Sequence, residues 1–599
     1  MTTNVDKDTA TVGSTLAEGL GRHGVKMAFA VPGDEIVGLL ADLAANHIRV
    51  VSVRHEASAA LMAAAAAQLT GRPAACVATS GPGAVNLAAG LQAARADSAP
   101  VIAIVGQVSR AVQGREAFRE LDVVRVFEPL VKWAVEVKSA EDLASTLERA
   151  AVAAIRGRPG PVLLSIPADI VNAAMPIGGG EAGTSPGIHS DHHAEPDPAV
   201  VRKILHLLGD ARRPLILAGA GVLRARSTDA LVKFATTMRV PVVTGWRRAD
   251  AFPNDSELYL GTTGPGASAN VLPRILEADA LLVLGCRLGE MTTFGYQIPG
   301  ASTRWALVDA EPRGAGLGHK AEIAVASDVA SFLRTSQRVL ARAAFDAASL
   351  DERTAANALD REAFEVAGVV DTQPWTGRGL HPGRVVETLA RLLPQDAILT
   401  TDSGDFGEWA ARGYRFSRPG TFLGSSAQPL GYGLPAAIAA TLARPGRLSV
   451  ALTGDGGFAT TMGELETAVR ERAHVVAVVF DSGRAGRSWR AQSGGIPVSN
   501  AGIGAVDFAA VAEACGAVGI SVRTDDEFEP ALRRAMEAGR PALLHLTMDP
   551  RWTTPDGGIP DPAELVEVTE EAAVDAVEAT VEVPAVDAVE EPAEAPAEV

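Results

Sequence analysis

Along the chain, short runs of consecutive apolar residues alternate with amphipathic or small-residue stretches, and glycine-bearing polar turns separate many of them. The pattern is clearest from Leu448 to Gly486: LSVALTGDGGF, then TMGELETAVRERA, then HVVAVVFDSGRAG. Uninterrupted apolar runs of this length predict strands covered on both faces, and the period between them predicts an amphipathic helix. Two parallel strands joined by one helix bring their C-terminal turns side by side at one rim of the sheet. Asp455 is therefore expected beside Asp481 and Ser482, although Ser482 lies 27 residues further on.

The same rhythm recurs elsewhere. Residues 1–175 hold a predicted helix at Val12–His23, with Leu16 and Leu20 on one face, then the strands MAFAVPGD and IRVVSVRHE. An alanine-rich helix from Ala57 to Leu69 follows, then the strand and turn AACVATSGPG, a helix Val85–Ala94, the strand PVIAIVGQ and a closing strand PVLLSIP. Residues 176–198, rich in Gly, Pro and polar side chains, read as a linker that carries His189, His192 and His193. Residues 199–340 repeat the alternation through RPLILAGAGV, RVPVVTGW, ADALLVLGCRLG and RWALVDAEP. A helical linker is expected over 341–378, and 379–550 form the third unit, which contains the opening stretch. The predicted fold class is α/β: three doubly wound parallel-sheet domains, the first and third most alike.

The length of 599 residues accommodates three such domains, and 47% hydrophobic residues with only 5% aromatic imply cores built from Ala, Val and Leu. The net charge of −18 is concentrated at one end. Fourteen acidic residues and no Lys or Arg follow Arg551, which leaves about −4 for the rest. Such a balance carries no footprint for nucleic acid. From 551 to 599 the aromatic-poor acidic composition predicts a disordered tail. Cys76, Cys286 and Cys515 lie far apart, which suits neither a disulfide framework nor a metal cluster and fits a reducing cytoplasm. Met1–Ala10 lacks the layout of a signal peptide, and the most apolar run, Ala59 to Leu69, is too short to span a bilayer. A cytoplasmic protein without a membrane partner is expected.

Three places carry candidate chemistry. Glu56 closes a strand against the small-residue stretch ASAALMAAAAA, where partial desolvation equips a carboxylate to share a proton; a helix-start glutamate favoured by the dipole is the structural alternative. Thr79-Ser80-Gly81-Pro82-Gly83 is expected at the same rim, where with Glu56 it outlines a pocket for a flat polar ring. Asp455, among Gly454, Gly456 and Gly457, faces Ser482, and such oxygens beside freed amides suit a hard divalent cation and the phosphates it bridges; helix capping is the alternative for Asp455. Gly219-Ala220-Gly221 follows a strand and is either a diphosphate cradle or a structural turn.

Taken together, Val31-Pro32-Gly33, Arg54-His55-Glu56, Thr79–Gly83 with Asn86, Arg115–Glu120, Gly431–Ala437 and Gly454-Asp455-Gly456 with its second half resemble the thiamine diphosphate-dependent enzymes of the acetolactate synthase/pyruvate decarboxylase group, over nearly all of residues 10–550. The resemblance implies a pyrimidine-binding first domain, a central domain and a diphosphate-binding third domain. It implies a homodimer or homotetramer, with cofactor between the first domain of one subunit and the third of another. By similarity Glu56 is catalytic: it promotes the imino tautomer of the pyrimidine, which removes the thiazolium C2 proton and generates a carbanion that attacks a carbonyl. The resemblance assigns cofactor contacts to Pro32, Gly33, Pro82, Asn86, Ser403, Gly404, Leu430, Gly454, Asp455, Gly456, Gly457 and Ser482, with Leu430 as the apolar wedge. Mg²⁺ would be held by Asp455, the Ser482 side chain and the Arg484 carbonyl. FAD, carried by relatives in this branch, would use Gly219–Gly221 and Gly285–Gly289.

The chain departs from the family where Ser482 stands in place of Asn, Ala485 in place of Tyr and Arg119 in place of Gln. Ser482 is the weaker ligand on a shorter side chain, Ala485 removes ring packing, and Arg119 adds a cation suited to a carboxylate, sulfonate or phosphate. Three functions follow: a carboligase or decarboxylase of 2-oxo acids, a lyase or acyl transferase on an acyl-CoA or other anionic substrate, and a weakly active or inactive homologue serving as a binding or scaffold protein.

Overall fold

The computed structural model describes residues 11–171, 173, 195–312, 320–341, 347–370, 378–483 and 504–558. His189, His192, His193, Arg484, Ala485 and the acidic tail from 559 onward lie outside the described residues.

Three six-stranded sheets, each parallel throughout, form the body of the molecule. The first contains β1 (Met27–Ala30), β2 (Arg49–Ser52), β3 (Ala74–Ala78), β4 (Val101–Gln107), β5 (Trp133–Glu136) and β6 (Val162–Pro167), in the order β2-β1-β3-β4-β6-β5. The second contains β7 (Pro214–Ala218), β8 (Val242–Thr244), β9 (Tyr259–Thr262), β10 (Ala280–Leu284), β11 (Arg304–Asp309) and β12 (Ile323–Ala326), in the order β12-β11-β10-β7-β8-β9. The third contains β13 (Ile398–Thr401), β14 (Phe422–Gly424), β15 (Ser449–Gly454), β16 (Val475–Asp481), β17 (Val518–Val522) and β18 (Ala542–Thr547). Its order, β14-β13-β15-β16-β18-β17, repeats that of the first sheet. The expected likeness of the two outer units thus extends to their topology. Central strands such as β3 and β4 are buried along their whole length, as their apolar runs require.

PVLLSIP is the last strand of the first unit along the chain, as expected, but not its edge. That segment, β6, lies inside the sheet, and β5 forms the edge beyond it. All four residues of β5 are only half-buried, so an edge strand of mixed polarity left no apolar run to read. The helix Ala347–Ala367, in the stretch read as a linker, docks on the central domain. Its Phe364 is buried and packs edge-to-face on Tyr259 at 5.6 Å, and its Asp360 accepts from Arg274 at 2.7 Å. The stretch from 551 expected to be disordered begins instead with a short antiparallel pair, Trp552–Thr554 with Gly557–Gly558, because Trp552 finds an aromatic site against His381 and Trp409.

The outer domains meet through two small-residue helices, α1 (Glu56–Thr70) and, beyond α2 (Pro82–Asn86), α3 (Gly433–Ala443). Ala63–Ala67 and Ala436–Ala440 are fully or almost fully buried in one apolar core that both domains share. Side chains this short let helix axes approach closely and exclude water without long, entropically costly side chains. Arg54 and Arg49 add polar ties to the third domain, pairing with Glu466 and Glu471, each at 2.8 Å. Among the described residues no helix is long and apolar enough to cross a membrane.

A buried ion pair joins all three domains. Arg248 of the central domain donates to Asp97 of the first at 2.8 Å and to the Gly424 carbonyl of the third at 2.8 Å. Asp97 also accepts from the Ser426 amide at 2.8 Å. Its side chain is fully buried and that of Arg248 is 10% exposed. Removing one partner leaves the other charge buried without compensation, so Arg248→Met is expected to destabilise the fold by about 3–5 kcal/mol. Denaturant unfolding followed by tryptophan fluorescence checks this; an unshifted midpoint would refute it.

Candidate functional site

On the first domain, β2 ends at Ser52 and Glu56 is the first residue of α1, capped by His55, whose Nδ1 accepts from the Ala57 amide. Glu56 therefore begins a helix rather than closing a strand. It is half-buried, and its Oε2 accepts from Asn86 Nδ2 at 2.9 Å. The turn after β3 lies directly against it: a Cβ on Gly83 would stand 3.1 Å from Glu56 Oε1 and 2.6 Å from Thr79 Oγ1. The turn after β1 closes from the other side, since a Cβ on Gly33 would strike the Thr79 methyl at 2.6 Å. Pro32–Gly33, Glu56, Pro82–Gly83 and Asn86 are thus gathered at one rim. Glu35, which sequence reasoning missed, links two of these turns by accepting from the Ser80 amide at 3.0 Å and from its hydroxyl at 3.1 Å.

On the third domain, Gly454 pairs with Phe480 in the β15–β16 register, which places Asp455 next to Asp481 as expected. Asp455 opens the short helix α4 (Asp455–Thr461) and accepts from the Gly456 amide at 2.8 Å. Burial, joined by the neighbouring Asp481 charge, pushes its carboxyl up to about 6. Burial acts on Asp481 too, but His545 at 2.8 Å and the Gly483 amide at 2.8 Å outweigh it and hold that carboxyl below its ordinary range. Ser482 is half-buried immediately after it. Among the described residues no group of three or more His, Cys, Asp or Glu side chains is arranged to hold a metal ion. A cation at this rim would take its remaining ligands from phosphate, backbone and water, the habit of Mg²⁺.

Asp402, also missed, ties the surrounding turns together. Its buried carboxylate accepts from the amides of Ser403 at 2.7 Å and Gly431 at 3.0 Å and from the Thr453 hydroxyl at 3.0 Å. Its only sequence signal was a polar turn after an apolar strand. Burial pushes its carboxyl up, opposed by the Ser403 amide, the Thr453 hydroxyl, the Gly433 amide and Arg247. Gly431 has φ +83°, and a Cβ there would meet Thr460 Oγ1 at 2.2 Å, so only glycine fits. Leu430, just before it, is 59% exposed on a loop held by that carboxylate. Gly404 lies against the Phe406 ring, which stacks on Phe480 with centroids 5.2 Å apart. Ser403, Gly404, Gly454–Gly457 and Ser482 thus occupy neighbouring turns at the C-terminal ends of β13, β15 and β16, with Leu430 on the adjoining loop between β14 and α3. The bond from Asn86 to Glu56 lies within the first domain and that from Gly456 to Asp455 within the third.

A cavity of about 1290 Å³ opens where the three domains meet. It lies at the C-terminal ends of β7 and β10, where the strand order of the second sheet reverses, the usual ligand crevice of an open α/β sheet. Gly219, Gly221, Gly285 and Gly289 line it, with Asp309 at the end of β11 and with Arg158 and Arg444 from the outer domains. A Cβ on Gly219 would fall 2.4 Å from Cys286 Cα, and one on Gly221 2.7 Å from Gly285 Cα. These two glycines are therefore required by the close approach of two turns, whatever the cavity holds.

Comparison with known proteins accords with this geometry. Residues 10–126 match the thiamine pyrophosphate enzyme N-terminal TPP-binding domain, 201–335 the central domain and 402–546 the C-terminal TPP-binding domain. The chain is 31% identical to the acetolactate synthase large subunit of Corynebacterium glutamicum, over 86% of this chain and 83% of that one. It is also 31% identical to the acetolactate synthase isozyme 2 large subunit of Escherichia coli, over 88% and 93%, and to the catabolic acetolactate synthase of Raoultella terrigena, over 88% and 93%. The protein belongs to the thiamine diphosphate-dependent enzyme family, and within it to the acetolactate synthase-like members.

The carboxyl of Asp455 binds its proton more tightly in the fold, near 6, than its ordinary value of 3.8. Its contribution to stability is complete below about pH 4 and is lost as pH rises through about 6. In chelator-treated, cofactor-free protein, Asp455→Asn should therefore gain melting temperature relative to the parent as pH rises from 4 to 7. A difference independent of pH would contradict the assigned burial.

Proposed function

We propose that the protein is a thiamine diphosphate- and Mg²⁺-dependent carboligase or decarboxylase of 2-oxo acids, acetolactate synthase-like in its chemistry. The observation that carries this reading is the Glu56 carboxylate, held by Asn86 among the Gly33 and Gly83 turns, in a chain whose third domain keeps Asp455 in its glycine-rich turn. When bound, thiamine diphosphate supplies a nucleophilic carbon that adds to a carbonyl and accommodates the electrons released on loss of CO₂.

The donor set fits both groups. The side-chain-free glycine turns pack close around the half-buried Glu56 carboxylate, which would hold a proton on a ring nitrogen. Asn86 fixes the carboxylate rotamer, so its position is set before the ring arrives. At the other rim, the crowding of Asp455 by burial and by Asp481 is relieved by a divalent cation, and the amides of Gly456 and Gly457 face the same turn. Asp455 and Ser482 would hold Mg²⁺ with the diphosphate oxygens, and the Arg484 carbonyl would complete the set. Leu430, exposed on the loop that Asp402 holds, is the apolar side chain available to support the bent cofactor. In line with the family resemblance, we assign the complete site to a homodimer or homotetramer, with Glu56 from one subunit and Asp455 from another. The junction cavity is large enough for a dinucleotide, and FAD is the occupant proposed for it.

Adding thiamine diphosphate with Mg²⁺ should raise the melting temperature by mass action, and pyruvate should be consumed; no shift at millimolar cofactor would sink the reading. Glu56→Gln should lower turnover at least about 100-fold while leaving the cofactor dissociation constant within a few-fold, measured by kinetics and calorimetry on one preparation. Equal turnover would remove Glu56 from its role. Ser482→Asn should tighten Mg²⁺, because an amide oxygen on a longer side chain is the better ligand. An unchanged metal titration would place Ser482 outside the coordination sphere.

A further inference from the structure

Arg119 lies on the loop between β4 and Leu121, and this loop is built to hold one shape. Glu120 accepts from the amides of Gly114 and Ala117, which occupies its negative charge within the loop and holds its carboxyl below the usual range. Gln107, the last residue of β4, donates to the Leu121 carbonyl at 2.7 Å. Glu116 and Arg119 have φ of +55° and +66°, a left-handed backbone that non-glycine side chains adopt at a cost when the surroundings impose it.

For Arg119 the imposing neighbour is the turn that leads to Glu56. A Cβ on Gly81 would stand 2.9 Å from the Arg119 carbonyl oxygen and 3.2 Å from its Cα, so the two backbones are in contact. Gly81 precedes α2, and the last residue of α2, Asn86, bonds Glu56. The position of Arg119 is thus coupled through one short helix to the carboxylate on which the proposed chemistry depends.

Its side chain stacks on Phe118, with the guanidinium carbon 4.9 Å from the ring centroid, and Phe118 itself is 82% exposed. Stacking fixes the guanidinium plane and leaves its edge N–H groups free for a planar or tetrahedral anion. Among the described residues no carboxylate lies within ion-pair distance of Arg119; of the other two cations of this loop, Arg115 is exposed as well and Arg110 pairs with Asp169 at 2.8 Å. Beside the turn that leads to Asn86, Arg119 therefore presents an exposed guanidinium that no carboxylate among the described residues pairs.

We propose that Arg119 is a specificity-determining residue that selects 2-oxo acids carrying a second anionic group, a carboxylate or sulfonate, at the end remote from the reacting carbonyl. The inference rests on the proposed function and names its substrate class. The 2-oxo acid carboxylate is needed beside the reacting carbon, so the distal anion is the group left for Arg119 to bind, and a bidentate contact gives it both orientation and affinity. Neutral-tailed 2-oxo acids make no such contact.

The test uses the full chain loaded with thiamine diphosphate and Mg²⁺, and compares 2-oxoglutarate, 3-sulfopyruvate and neutral-tailed 2-oxobutyrate. The parent protein should favour one of the two dianions over 2-oxobutyrate in kcat/KM, and the favoured arm tells carboxylate from sulfonate. In Arg119→Gln that preference should fall about 10- to 100-fold, mostly through KM, with Arg119→Lys recovering part of it. The preference should also weaken with added salt. Equilibrium binding of the dianions by calorimetry separates the two readings. Arg119-dependent binding without turnover of any 2-oxo acid defeats the proposed function and keeps this inference. Turnover with the same selectivity in parent and Arg119→Gln, or dianion binding that is absent or indifferent to the substitution, overturns it.

Discussion

The buried carboxylate of Asp402 is the interaction on which the candidate diphosphate rim depends. It receives N–H groups from Ser403 and Gly431 and a hydroxyl from Thr453, so turns after β13, before α3 and at the end of β15 are fastened to one point. A carboxylate so deeply buried is unfavourable unless donors surround it, and that requirement runs both ways. The donors satisfy the carboxyl oxygens, and the carboxyl keeps each turn in the one position where its N–H reaches an oxygen. Leu430 is presented by this arrangement rather than by any packing of its own, since it is 59% exposed.

Arg247 extends the constraint to the central domain. Buried and drawn down to about 10 by that burial, it remains charged at neutral pH and donates to the Asp402 carbonyl at 2.8 Å. Arg248, the next residue, joins the first domain through Asp97 and lines the junction cavity. Two adjacent arginines therefore reach from the cavity to the rim of the third sheet. The central domain is thus a mechanical part of the framework between the outer domains.

The chemistry-bearing turns were legible because a doubly wound sheet puts its strand ends at one rim, and glycines mark where backbone must approach backbone or ligand. Asp455 beside Asp481 followed from that rule alone, and the packed turns around Glu56 lie where the motif spacing put them. Glu56 itself was displaced by four residues from the end of β2, because a capped helix start and a strand end both follow an apolar run. Asp402 and Glu35 went unread for a different reason. An aspartate or glutamate in a polar turn looks solvated until its donors, such as Gly431 or Ser80, are known from elsewhere in the chain.

By itself the sequence determined the three parallel α/β units, the kinship of the first and third, and the turns that hold the candidate site. Those features are local: apolar runs long enough to be covered on both faces, and glycines at fixed offsets from them. Only the tertiary structure decided that β5 lies outside β6, that the Arg248–Asp97 pair joins the domains, and where the junction cavity opens. Edge strands carry no strong apolar signal, and a buried arginine is written in the same letters as a surface one. Their roles come from docking between segments far apart in the chain, where burial turns an ordinary charge into one that must find its partner.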